Sequence, residues 1–314
     1  MASFACLYAI HERWSSFAVK VLPAHLSEDP TVRQRFDREA RVISGLNHPN
    51  ICTLHDIGQH DNVAFLVMEL LDGEPLNELL KRGPLPLEQV LEIGIAIASA
   101  LDAAHRLGVV HRDLKPGNII LTAAGAKLVD FGLAKNAAGS AALTDLTSSP
   151  TETTPLTQHG TIVGTFQYMA PEQIEGGQAD ARTDLFAFGA VLYEMISGRR
   201  AFEGRTQAGV IARILEGKPS SLASVQPPVS PALDRLVATC LAKNPDDRWQ
   251  SAADLGRQLT WLREGGSQVG LPATVRSRRL LREVVAWSLT AVLLMAPPWL
   301  WEPCTCWAPV PALR

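Results

Sequence analysis

The chain has 314 residues, of which 46% are hydrophobic and 19% charged, and its formal net charge is −3. This balance is typical of a globular protein and excludes disorder along the whole chain. The weak negative charge provides no basic field, so we expect no nucleic-acid partner. The spacing of the five cysteines indicates neither a disulfide framework nor a zinc site.

The first 70 residues predict a small sheet with one helix. The runs FAVKVL at 17–22 and VAFLVMEL at 63–70 are typical of strands. Between them, Asp29 and Pro30 indicate a helix start, and Ala40, Ile43 and Leu46 follow at helical spacing. From about 75 to 263 the pattern is mostly helical, notably at 87–107 and 185–196. We therefore expect a small lobe and a larger α-rich lobe with a cleft between them.

The remaining segments differ in composition from these lobes. An insert at 136–161 is rich in Ser, Thr, Ala and Gly and predicts a mobile loop. Residues 264–283 are a linker with a basic end, 284–301 have no charge, and 302–314 form a short tail. The preceding arginines and the tryptophans near the ends of 284–301 favour a single membrane span with the main domain in the cytoplasm. The alternative is an apolar helix that docks on a cytoplasmic protein.

Six sequence motifs occur in a characteristic order. They are AVK at 18–20, HRDLKPGNIIL at 111–121, DFG at 130–132, GTFQYMAPEQ at 164–173, TDLFAFG at 183–189 and NPDDRW at 244–249. Together they resemble protein kinases, in particular the bacterial eukaryotic-like (Hanks-type) serine/threonine kinases. The resemblance implies an α+β, two-lobed protein kinase fold over 1–263, with a small β-rich lobe and a large α-rich lobe.

The resemblance also implies the catalytic groups. Asp113 would accept or orient the proton of the acceptor hydroxyl, and Lys115 would lie near the transferred phosphoryl group. Asn118 and Asp130 would hold Mg²⁺, a hard ion that prefers carboxylate and amide oxygens. The lysine of DLKPGN is typical of kinases whose acceptors are protein Ser and Thr hydroxyls rather than Tyr.

A nucleotide site for ATP is implied as well. Lys20 would contact the α- and β-phosphates and pair with the helix residue Glu39. The segment VMELLDG at 67–73 would be the hinge, with Met68 as gatekeeper and the backbone of Glu69 to Leu71 facing adenine. The apolar residues that would line the adenine slot are Leu7, Ala18 and Ile120.

Other residues have structural or regulatory roles by the same resemblance. Glu172 and Arg248 would form a buried ion pair, Asp184 would hold the backbone of the catalytic loop, and the hydroxyl of Thr165 would bond that loop. Arg112 would pair with a phosphothreonine at either Thr157 or Thr161, produced by self-association and autophosphorylation. The alternative is that this Ser/Thr-rich stretch is a solvated loop.

The beginning of the chain departs from the family pattern. Kinases open with a strand and a G-x-G-x-x-G turn, whereas here Ala2 and Ala5 occupy the aligned positions and the first strand is missing. Because each charge-assisted hydrogen bond to phosphate contributes about 1.5–3 kcal/mol, the change predicts ATP affinity lower by about tenfold or more. The alternatives are a start codon placed too far downstream, a weakened kinase, or a pseudokinase that acts as a membrane-tethered binding module.

Overall fold

A computed structural model describes residues 7–12, 15–21, 34, 38, 40–60, 63–131, 166–225 and 229–265. These residues form a small lobe built on a four-stranded sheet and a large, mainly helical lobe, as the sequence predicted. The insert at 136–161, the run at 284–301, the tail at 302–314 and nearly all of the linker at 264–283 lie outside the described residues.

The small lobe is built on an antiparallel sheet. Its strands are β1 (Leu7–Glu12), β2 (Ser15–Val21), β3 (Leu54–His60) and β4 (Val63–Glu69), in the order β1-β2-β4-β3. The interior strands β2 and β4 are the two runs predicted from the sequence, whereas β1 and β3 were missed. Ala18 pairs with Met68 and Lys20 with Leu66, so these four residues share one face of the sheet.

One helical stretch accompanies this sheet. Residues 40–44 are helical, and Ala40, Ile43 and Leu46 are buried in the main hydrophobic core at 0%, 7% and 4% exposure. Ala40, Ile43 and Leu46, which were predicted to follow one another at helical spacing, therefore lie in the core. Most of the predicted first turns, including Glu39, lie outside the described residues.

A second, smaller sheet positions the sequence motifs of the large lobe. It comprises β5 (Gly73–Pro75), β6 (Ile119–Thr122) and β7 (Gly125–Leu128), in that order. Ile119 pairs with Leu128 in the antiparallel β6–β7 hairpin. The segment that precedes β6 and the segment that follows β7 therefore lie side by side, which brings the HRD loop (residues 111–118) next to the DFG segment (130–132).

The helices of the large lobe begin with α1 (Leu76–Leu80) and α2 (Leu87–Arg106). After a short α3 (Pro171–Ile174) comes α4 (Ala181–Ser197), which is buried on nearly all sides. Asp180 caps α4 by accepting the N–H of Arg182, and Gly198 ends it with a left-handed φ of 68°. A helix that is apolar all round needs a shell of other elements, and this explains the position of α4 at the centre of the lobe.

The described part of the large lobe has four further helices: α5 (Gln207–Leu215), α6 (Leu222–Val225), α7 (Pro231–Cys240) and α8 (Ala252–Arg263). The two long helices predicted from the sequence correspond to α2 and α4. Among the described residues, no helix combines the length and the apolar character needed to cross a bilayer.

Candidate active site

The HRD loop is anchored through its first residue. His111 is fully buried, its Nε2 lies 3.1 Å from the carbonyl oxygen of Val129, and its ring centroid is 4.7 Å from that of Phe131. Burial lowers the pKa of His111 below its ordinary value, although nearby carboxylates oppose the shift. The imidazole is therefore neutral and serves as a packing group that ties the HRD loop to the DFG segment.

The carboxylate of Asp184 fixes the backbone of the same loop. Asp184 lies on α4 with 1% exposure, and it accepts the backbone N–H groups of His111 and Arg112, each at 2.8 Å. His105 Nε2 lies 2.8 Å from the same carboxylate. Arg112 has a φ of 61°, a strained conformation for a residue other than glycine. The central helix thus stabilises a backbone shape that an isolated loop would not adopt.

Three polar side chains converge within the HRD loop. Lys115 Nζ lies 2.7 Å from Asp113 Oδ2, and Asn118 Nδ2 donates to the same oxygen at 3.2 Å. Asn118 Nδ2 also donates to the backbone oxygen of Asp113 at 2.8 Å. The Asp113 side chain is 17% exposed and that of Lys115 is 30% exposed. Both charged groups are therefore held in place while remaining accessible from solvent.

A contact between the lobes completes the cluster. Lys20, on β2, lies 2.6 Å from Asp130 Oδ1, and the two side chains are 17% and 36% exposed. Asp130 has a left-handed φ of 59°, which again marks a backbone held in place by its surroundings. The structure thus brings Lys20 to the DFG carboxylate. Its predicted partner Glu39 lies outside the described residues.

The residues predicted to hold Mg²⁺ suit that ion. No group of three or more His, Cys, Asp and Glu side chains forms a metal cage in the described part of the chain. Mg²⁺ that binds with a nucleotide needs no such cage, since one or two protein oxygens are enough when phosphates and water supply the rest. Asn118 donates through Nδ2, so its Oδ1 is the atom that suits a cation, and Asp130 offers a carboxylate at the adjoining strand end.

The hinge is held to the large lobe through Glu69. Both carboxylate oxygens of Glu69 accept from Lys127 Nζ, at 2.6 and 2.8 Å, and one also accepts the backbone N–H of Thr53 at 3.1 Å. Burial alone would raise the pKa of Glu69, but these hydrogen bonds outweigh it and lower the pKa below its ordinary value. Glu69 is therefore ionised and fixes the hinge to β7, the strand that carries Lys127.

A buried thiol lies against the hinge backbone. Cys52 Sγ donates to the carbonyl oxygen of Glu69 at 3.6 Å, and the Cys52 side chain is buried. Burial, together with the negative charge of Glu69, raises the pKa of Cys52 to about 12. The thiol is therefore protonated at neutral pH and unreactive as a nucleophile.

The predicted slot residues lie on elements that border the cleft. Ala18, 3% exposed, and Met68 lie on the sheet face that carries Lys20. Ile120, on β6, pairs with Lys127, and Leu71 follows β4 and is partly buried. Leu7 is the register partner of Lys20 on β1.

A buried ion pair connects α3 to the segment that follows α7. Both terminal nitrogens of Arg248 contact Glu172, at 2.8 and 2.7 Å, and Arg248 is 3% exposed. The guanidinium also donates to the carbonyl oxygens of Arg182, Ala242 and Lys243. Arg248 thus forms the pair with Glu172 that the resemblance implied, and it also joins α3 to the start of α4 and to the loop after α7.

Two residues that contact the HRD loop or its anchor were not predicted from the sequence. Three residues that were predicted to belong to this region lie outside the described residues. Gln173 bonds the HRD loop through its side chain, and His105 contacts Asp184. The only signal for Gln173 was its place directly after the APE motif, and no signal distinguished His105. Thr157, Thr161 and Thr165 lie outside the described residues.

Comparison with protein families agrees with this geometry. Residues 3–259 match the family model described as "Protein kinase domain". The chain belongs to the protein kinase family. All the site residues described above, from Leu7 to Arg248, fall inside the matched range.

Curated relatives of this kinase are bacterial serine/threonine kinases. It is 41% identical over 244 residues to the probable serine/threonine-protein kinase SCO3848 of Streptomyces coelicolor, covering 76% of this chain and 34% of the relative. It is 39% identical over 255 residues to the serine/threonine-protein kinase PknA of Mycobacterium tuberculosis, covering 79% of this chain and 55% of the relative. The kinase therefore spans between about a third and just over half of the length of these relatives.

Solved kinase structures share the fold. The PknI kinase domain of Mycobacterium tuberculosis superposes with a TM-score of 0.63 at 27% identity, covering 84% of this chain and 92% of that chain. A second structure of the same domain gives a TM-score of 0.62 at 26% identity, with 83% and 92% coverage. The kinase fold thus accounts for most of the chain.

Proposed function

We propose that this protein transfers the γ-phosphoryl group of Mg-ATP to Ser and Thr hydroxyls of proteins. The observation that carries the proposal is the convergence of Asp113, Asn118 and Asp130 at one end of the β6–β7 hairpin, with Lys20 bonded to Asp130 across the cleft. Phosphoryl transfer depends chiefly on positioning and on charge neutralisation, and these residues supply both. Nothing in the comparisons or in the described residues favours the alternative of an inert binding module.

The residues have separate roles in this reaction. Mg²⁺, held by Asn118 and Asp130, would neutralise charge on the transferred group. Asp113 orients the acceptor hydroxyl and takes its proton, and Lys115 places a positive charge 2.7 Å from that carboxylate. Lys20 supplies a second positive charge for the phosphates from the small lobe. The backbone of Glu69 and Leu71 faces adenine in a hinge that Lys127 holds in place.

The proposal is tested with the full chain and γ-labelled Mg-ATP. We expect label on phosphoserine or phosphothreonine of a generic basic protein, and loss of the label when EDTA removes Mg²⁺. Phosphopeptide mapping of the kinase itself is expected to find Thr157 or Thr161 modified, consistent with a phosphothreonine partner for Arg112. Absence of transfer by a folded chain, or label on tyrosine only, would contradict the proposal.

We further propose that residues 284–301 anchor the kinase to the cell membrane. The support comes from the sequence: an uncharged run of 18 residues, arginines before it, and tryptophans near its ends. We expect the full chain to stay in the membrane fraction after alkaline carbonate extraction. A variant with Leu293→Arg and Leu294→Arg should be released, because each arginine near the centre of a span costs about 2.5–3.5 kcal/mol of insertion. Release of the unaltered chain would show that the run does not span.

A further inference from the structure

Gln173 joins two segments that are far apart in the sequence. It is the third residue of α3, and its Oε1 accepts the backbone N–H of Ala170 at 3.1 Å. Its Nε2 donates to the backbone oxygen of Arg112, 61 residues away, at 3.1 Å. Because an N–H can only donate and a carbonyl can only accept, both ends of the side-chain amide are used and its orientation is fixed.

The bonded carbonyl belongs to the strained residue before Asp113. The N–H of Arg112 is held by Asp184 Oδ1 at 2.8 Å, and its carbonyl oxygen is held by Gln173. With a φ of 61°, this backbone needs such support from its surroundings. A change at the Arg112 carbonyl alters the peptide plane that leads directly into Asp113, so the contact with Gln173 is linked to the direction of the Asp113 carboxylate.

The same two segments form the walls of a small cavity. From the HRD loop it is lined by Asp113 and Lys115, and from the residues after the DFG segment by Tyr168, Met169 and Gln173. The cavity opens beside the carboxylate that would meet the acceptor hydroxyl. The separation of its walls therefore decides whether an acceptor chain lying on residues 166–174 presents its hydroxyl to Asp113.

We propose that Gln173 is a positioning residue for the protein acceptor. Its side-chain amide sets the separation between residues 166–174 and the HRD loop, and it acts through the Arg112 peptide without touching the reacting atoms. The inference rests on the proposed kinase function and names the part of the site that receives the acceptor. It requires a side chain that both accepts and donates, a condition that glutamine meets and that methionine and ionised glutamate do not.

Two variants of the full chain test this role. Gln173→Met removes both hydrogen bonds at similar length. Gln173→Glu keeps an acceptor for Ala170 but faces the Arg112 carbonyl with a second oxygen. We expect kcat/KM for a peptide acceptor to fall about 10- to 50-fold in both variants, while KM for ATP stays within about twofold. The control is Gln178→Glu, an exposed position on the same stretch of chain, which should behave as the unaltered kinase.

The dependence of activity on pH distinguishes a loss of the Gln173 hydrogen bonds from a general disruption of the fold. A protonated glutamate regains a donor, and burial near a carbonyl raises a carboxyl pKa, so activity of Gln173→Glu relative to the unaltered kinase should rise as pH falls from about 8 to about 6. The other charged residues that line this cavity are Arg112, Asp113, Lys115 and Asp184, and Glu172 is the neighbour of Gln173 in the sequence. They are the same in Gln173→Met, whose relative activity should stay flat with pH.

Hydrogen exchange gives a readout that does not depend on activity. Loss of the contact should speed amide exchange in peptides covering 111–118 in both variants and leave peptides from α8 unchanged. If the unaltered chain transfers no phosphate, the kinase proposal fails, and the exchange data alone still decide whether Gln173 holds the loop. The inference is overturned if exchange at 111–118 is unchanged, if both variants match Gln178→Glu, or if the loss appears in KM for ATP.

Discussion

Replacing Asp113 by asparagine is expected to lower kcat for phosphoryl transfer by about 10²- to 10⁴-fold, the contribution of a positioned general base. Asparagine keeps the shape of the side chain but cannot take the hydroxyl proton. It also removes the negative charge that lies 2.7 Å from Lys115 Nζ. The measurement is steady-state transfer to a peptide acceptor, with ATP varied to obtain its KM separately.

The substitution should lower kcat without weakening the binding of ATP. ATP is held by groups other than the Asp113 carboxylate, so KM for ATP is expected to stay within about threefold. The matched control is Asp247→Asn, an exposed aspartate in the turn after α7, which should leave kcat unchanged. A kcat for Asp113→Asn within tenfold of the control would show that another group accepts the proton.

Replacing Arg248 by methionine is expected to give the largest loss of stability. The change leaves the partly buried Glu172 carboxylate without its charged partner, with the Thr183 hydroxyl still donating to it, and removes donors from three backbone carbonyls. Breaking a buried pair in this way costs about 3–5 kcal/mol, which corresponds to a fall in Tm of about 6–20 °C for a domain of this size. Thermal unfolding followed by circular dichroism measures it, with the exposed Arg235→Met as control.

The stability difference should also depend on pH. Burial alone would raise the pKa of Glu172, but the hydrogen bond and charge of Arg248 lower it below its ordinary value. A lowered pKa contributes stability that is present above the pKa of the unfolded glutamate, about 4.3, and is lost as pH falls through the folded value. The difference in unfolding free energy between the unaltered kinase and Arg248→Met should therefore be largest near neutral pH and become smaller in acid. A gap that is constant with pH would show that the lost packing of Arg248, rather than its charge, is responsible.

The elements that could be predicted from the sequence are those with a strong hydrophobic pattern. β2, β4, α2 and α4 bury continuous or periodic apolar residues, and they were recognised from periodicity alone. β1 and β3 read LYAIHE and LHDIGQH, so polar residues break their pattern. Both lie at an edge of the sheet that the described residues form, where one neighbouring strand is enough to hold them and the sequence need not be strongly apolar.

The site residues that belong to sequence motifs could be predicted. The contacts between segments that are distant in the sequence could not. The order of the motifs implied the contacts of Asp184 and the pairing of Glu172 with Arg248. The bonds from Lys127 to Glu69 and from Gln173 to Arg112 join residues 58 and 61 positions apart. Arg112 and Gln173 lie in two of the motifs, but the motifs do not indicate that these two residues are in contact. Such contacts are set by how the elements pack, which a single sequence does not reveal.

Residues 127–130, at the end of β7 and just beyond it, contribute to both ends of the nucleotide slot. Lys127 fixes the hinge carboxylate at the base end, and Asp130 stands at the metal end. Both belong to the large lobe, whereas Lys20 comes from the small lobe. When the lobes separate, Lys127 and Asp130 would keep their spacing within the large lobe, while Lys20 and Ala18 would move away together with β2. Opening of the cleft would therefore remove the small-lobe contacts to the nucleotide and leave the metal ligand of the large lobe in place.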